Sequence, residues 1–180
     1  MTEEVMLVAP NQTKSWIQLV NKMRSVTGLQ KRRMGGQNPN FLQIKDCPGE
    51  ICGRLGGSVP SALLAGAPPC AAQKVADEII DAAKTKIKNP ETQQQMIKWA
   101  QQIASAEKNT HPDYKKNPPT PRNALYCLEK PKNSELVGYY VSQDPANGPD
   151  EFFDPSTKGT VRIGEKAETK PPGPRSPPPL

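Results

Sequence analysis

Proline placement sets the first limit on what this chain can become. Of its 180 residues 21 are proline, and ten of those fall in residues 131–180, which close with KPPGPRSPPPL. Proline lacks a backbone N–H and clashes with the turn before it, so a dense run excludes regular helix and interior strand. Only 34% of the chain is hydrophobic and 5% aromatic. A proline-rich C-terminal stretch then buries too little apolar surface to offset its ordering entropy, and residues 123–180 are expected to form an extended, mostly disordered tail. The folded part is expected in the first two thirds, behind an arm over residues 1–12.

Charge is distributed as unevenly as proline. Residues 11–40 hold Lys14, Lys22, Arg24, Lys31, Arg32 and Arg33 and no acid, within a chain of net charge +6. A basic segment of this kind attracts a polyanion. The plainer reading, a solvated basic face that keeps the protein soluble, stands beside it. The opening MTEEVMLVAP carries Glu3 and Glu4 and no basic run, so it does not read as a secretory signal. Apolar runs such as Ala62–Ala67 are too short to span a bilayer. Cys47, Cys52, Cys70 and Cys127 form no C-x-x-C pair. Reduced thiols are expected rather than a disulfide framework, with a zinc site as the lesser alternative.

Periodicity points to helices. In residues 14–34, Trp16, Leu19, Val20, Met23 and Val26 make one apolar stripe, with the basic residues outside it. Ile51 and Leu55 suit a short helix between Pro48 and Gly56-Gly57, and the small, proline-rich residues 58–70 read as a loop. Val75, Ile79, Ala82, Ala83 and Ile87 line one side of a helix over 71–88, which Asn89-Pro90 ends. A last helix over 91–108 presents Met96, Ile97, Ala100, Ile103 and Ala104. NALYCL and ELVGYYV are the only strand-like stretches, and the expected class is all-α: a domain of three to four helices followed by the tail.

Signatures of catalysis are missing. The chain has no G-x-S-x-G, P-loop, G-x-G-x-x-G or H-E-x-x-H pattern. Its one histidine, His111, precedes a proline and has no second histidine with which to share a metal. No enzyme activity, catalytic residue, metal or cofactor is expected.

The run AEKNTHPDYKKNPP around that histidine resembles the end of a high-mobility-group (HMG) box of the sequence-specific kind found in SOX-type factors and fungal mating-type regulators. Two earlier pieces, LQKRRMGGQNPNF and GEICGRLGG, are similar to the family's segments after its first helix and at the start of its second, in the same order. The resemblance implies a box over residues 13–122 with an insertion at about 58–88. It further implies a nuclear transcription regulator that binds and bends double-stranded DNA through the minor groove. Asn21, Lys22, Met23, Arg24, Lys31, Arg32, Arg33, Lys115 and Lys116 would contact the duplex, Arg122 would add a phosphate contact, and Tyr114 would pack back on the first helix. Arg24 stands where the family has an apolar wedge, a role a guanidinium fills badly. The alternative is a non-enzymatic adaptor or assembly subunit: a helical module with a proline-rich tail that docks on other regulatory proteins.

Overall fold

The computed structural model describes residues 44–177, all within one compact unit. Three helices come first: α1 over Gly49–Ala62, α2 over Ala71–Lys86 and α3 over Pro90–Ala104. Their sequences explain their ends. Asn89 caps α3, its Oδ1 accepting from Glu91 N (2.9 Å) and Thr92 N (3.4 Å), and Pro90 occupies a first-turn position where a missing N–H costs nothing. The same Asn-Pro pair stops α2, whose successor Ile87 is already extended. Of the 58–70 segment expected to be a loop, residues 58–62 instead finish α1, which runs through Gly56, Gly57 and Pro60, while 63–70 carry no helix. Burial decides this. Cys52, Leu55, Val59 and Ala62 fall on one face and are almost wholly removed from water, which outweighs the poor helix propensity of glycine.

The core lies where the three helices meet. Leu55, Val59, Leu63, Ile79, Ile80, Met96 and Ile103 fill it, with Leu136 arriving from the C-terminal half. α2 packs most extensively against α3 and more narrowly against α1. The stripe on α2 holds the expected Ile79, Ala82 and Ala83, with Ile87 buried just past its end, and gains Ala72, Ala76 and Ile80, while Val75 sits at the margin.

The all-α expectation is corrected by a three-stranded mixed sheet in the C-terminal half. β1 (Asn123–Ala124) runs parallel to β2 (Glu151–Phe153), and β2 pairs antiparallel with β3 (Thr160–Arg162). The expected disorder of residues 123–180 is corrected with it. Leu125, Phe152 and Val161 form a second small core, with Tyr126 against it. β1 has a strand on one side only. On the other, the Gln143 amide takes a strand's place: its Oε1 accepts from Ala124 N (2.9 Å) and its Nε2 donates to Ala124 O (2.7 Å).

The C-terminal half is fastened to the helices. Asp77, buried on α2, accepts from Asn133 N (2.8 Å), Asn133 Nδ2 (3.0 Å) and Lys132 N (3.1 Å). Lys84 pairs with Glu135 (2.6 Å) beside this cradle. Buried Lys108, just after α3, donates to Ala67 O and Pro68 O, and its burial pushes the ammonium down to about 8. The cysteines are not free thiols. Cys47 bonds Cys52, and Cys70, the N-cap of α2, bonds Cys127 across 57 residues. Sequence spacing carried no sign of this, because such partners are brought together by the fold. No helix among the described residues is long and apolar enough to cross a membrane.

Candidate binding cleft

Of the residues expected to touch DNA, Asn21, Lys22, Met23, Arg24, Lys31, Arg32 and Arg33 lie outside the described residues. Lys115 is exposed, and its backbone N donates to Asp113 Oδ1 (3.0 Å). Lys116 forms an ion pair with Glu151 of β2, whose carboxyl this contact holds below its ordinary range. Tyr114, expected to be packed, is 72% exposed.

Arg122, expected at a phosphate, is buried within the chain. Its Nε donates to His111 O (2.8 Å), and its two terminal nitrogens donate to Thr160 Oγ1 (2.9 Å) and Pro112 O (3.0 Å). The guanidinium also lies 4.7 Å from the centre of the Phe153 ring. Around it the rest of the His-Pro-Asp-Tyr turn is tied down. Asp113 Oδ2 accepts from Thr160 Oγ1 (2.8 Å), and Asp113 N donates to Thr120 O (2.7 Å). His111 stands edge-on to Phe153, with ring centres 5.5 Å apart. Hydrogen bonds from Thr160 and from Lys115 N, with Arg122 nearby, hold the Asp113 carboxyl below its usual range. The run around His111 thus joins the chain after α3 to β2 and β3, with Asp113, Lys116 and the Arg122 that meets it committed to that joint.

A cleft of about 380 Å³ opens on the other side of the sheet. Tyr126, Phe152, Ile163, Pro145, Pro149 and Pro171 give it apolar walls. Ile163 is half exposed and Phe152 buried. Asn123 of β1 also lines it and is only 4% exposed. Its Nδ2 donates to Gly148 O (2.7 Å), while its Oδ1 has no hydrogen-bond partner. Exchanging the two amide atoms would set oxygen against the Gly148 carbonyl, so the unpaired group is an acceptor. A buried acceptor without a donor costs roughly 1–3 kcal/mol, and native structures hold few of them.

A second recess, about 420 Å³, lies beside the start of α3 and includes Ile44, Lys45, Asn89, Thr92 and Gln95. Two of its polar side chains are already engaged. Asn89 caps the helix and donates to Asp46 Oδ2 (2.9 Å), and Thr92 Oγ1 donates to Lys45 O (3.0 Å). No buried unpaired side-chain atom lines that recess, in contrast to Asn123 Oδ1 in the cleft.

One partial signal for the cleft was legible beforehand: Asn123 and Tyr126 both sit in the strand-like NALYCL stretch. The other wall residues come from three further segments, which no local pattern brings together. Among the described residues no group of three or more His, Cys, Asp or Glu could hold a metal ion. No family model, curated protein or solved structure matches the chain.

Proposed function

We propose that this chain is a non-enzymatic binding module, an adaptor or assembly subunit of an oxidising compartment that takes an extended peptide segment in the cleft beside β2. The unpartnered acceptor of Asn123 carries this reading. The acceptor is covered in this structure, so a peptide N–H pairs with it only once the Asn123 side chain turns to the cleft, while apolar side chains of the ligand meet Tyr126, Ile163 and the prolines. The two cysteine pairs support the choice of compartment, since such bonds persist where thiols are not kept reduced. The acid and base groups nearest the sheet support a binding role over a chemical one. Asp113, Arg122, Glu151 and Asp154 are all committed to partners within the chain.

The test is a titration of the isotope-labelled full chain with N-acetyl-leucine methylamide, a single peptide unit with an apolar side chain, followed by amide NMR. Shifts should gather at the Asn123 side-chain amide, Tyr126 and Ile163. Asn123→Ala should weaken binding about tenfold, the worth of one hydrogen bond. Ile163→Ala, at a half-exposed position, gives a second variant that leaves the fold intact. Shifts scattered over the surface, or none up to the probe's solubility limit, would defeat the reading.

A further inference from the structure

Residues 173–176 are seated on the protein's own surface. Ser176 N donates to Gly138 O (2.9 Å), and Ser176 Oγ donates to Val137 O (2.9 Å). Arg175 donates to Tyr140 O (2.9 Å) and Val141 O (2.8 Å), and its guanidinium stacks 4.0 Å from the centre of the Tyr140 ring. Tyr140 OH closes the contact by donating to Gly173 O (3.1 Å). One main-chain bond, side-chain bonds to backbone carbonyls and one planar cation on an aromatic face together hold an extended, proline-rich strand.

The receiving surface is shaped for such a strand. Gly138 has φ +82, a conformation that favours glycine, and a Cβ there would come 2.3 Å from Ser176 Oγ and 2.8 Å from Ser176 N. The glycine thus serves both the turn and the close approach of the tail. Proline elsewhere in the tail (Pro171, Pro172, Pro174, Pro177) limits the entropy lost when it docks. The arginine is specified too, because two carbonyls and a ring face together suit a flat guanidinium better than an ammonium.

We infer that the Val137–Ser142 surface is a recognition site for proline-rich segments of the Pro-Arg-Ser-Pro type on a partner protein, and that the chain's own tail occupies it as a built-in competitor. The covalently attached tail is present at millimolar effective concentration, so a partner's segment enters only when the tail is loosened or outcompeted. This surface adjoins the cleft, since Pro171 belongs to both and the Tyr126 and Tyr140 rings meet edge-on with centres 5.6 Å apart, but Asn123→Ala should leave binding here unchanged, which keeps the two readings apart.

The experiment uses a fluorescent peptide of residues 170–177, KPPGPRSP, and fluorescence anisotropy. The proteins are the native full chain and the full-length double variant Arg175→Ala, Ser176→Ala, whose tail has lost its anchors. The variant should bind the peptide at least about tenfold more tightly than the native chain, because the competitor in cis is weakened. A peptide carrying lysine for the arginine should bind about tenfold more weakly. Adding Gly138→Val to the double variant should abolish binding. Tyr140→Leu provides a second block that leaves the Gly138 backbone alone, and circular dichroism checks both folds. Equal binding to the native and variant chains, or binding to neither, overturns the proposal. Concentration-dependent dimers of the native chain that Arg175→Ala removes overturn it too, by showing that the tail is traded between copies.

Discussion

At Asp154 burial and hydrogen bonding oppose one another. Burial alone pushes the carboxyl up, but Lys166 Nζ, Ser156 Oγ (2.7 Å) and Ser156 N (2.9 Å) outweigh it and hold the group well below its ordinary value of 3.8. The folded state therefore binds this proton less readily than the unfolded state does. The resulting stability is fully present above the ordinary value and is lost as pH falls through the folded one. Asp81, Asp113, Glu135 and Glu151 are lowered as well, so the native protein should weaken progressively in acid. Asp154→Asn should cost about 2 kcal/mol at neutral pH and much less in strong acid. Urea unfolding of native and variant chains across that range measures the difference, and a constant gap at every pH would contradict this account. Arg122 makes a related point about reading single residues. A cation near other cations suggests a phosphate contact, yet its donors are consumed by His111 O, Pro112 O and Thr160. Which way a guanidinium faces depends on carbonyls that side-chain patterns do not encode.

Among the elements, α1 shows where sequence preference yields to packing. Gly56 and Gly57 read as a stop, but the buried Leu55–Val59–Ala62 face carries the helix past them. Gly57 gains nothing from being glycine, since a Cβ there meets no atom within 4 Å. Gly57→Ala should therefore stabilise the protein by about 0.5–1 kcal/mol, read as a higher denaturation midpoint at unchanged slope. Destabilisation instead would mean that this half of α1 is not helical in solution. α2 and α3 were legible in the sequence because spacing, an Asn cap and a proline stop all agree there. The sheet was not, because its strands are two or three residues long and one edge is completed by the Gln143 side chain. Nor was the order of the tail. Composition reports how much apolar surface a segment can bury, whereas Arg175 and Ser176 are held by backbone carbonyls and one ring. In the cleft, Asn123 and Tyr126 stood in a recognisable stretch, but the unpaired acceptor arises only once Gly148 takes the other half of the amide.

For the molecule as a whole, the two cysteine bonds contribute unequally. The chain-entropy model gives about 4 kcal/mol for the Cys70–Cys127 link and about 2 kcal/mol for the short Cys47–Cys52 loop. Paired serine replacements at 70 and 127 should lower unfolding stability by roughly twice as much as those at 47 and 52. Equal losses would mean that the long loop stays structured in the unfolded chain. The longer bond also joins the start of α2 to the segment that docks on Asp77 and leads onward to the sheet. A pull applied at residues 44 and 177 would pass tension straight from Cys70 to Cys127. The stretch between them, a sequence separation of 57, would stay slack, withholding roughly 190 Å of contour from extension. Reductant would release that length, so the reach of this chain under load is set by its redox state.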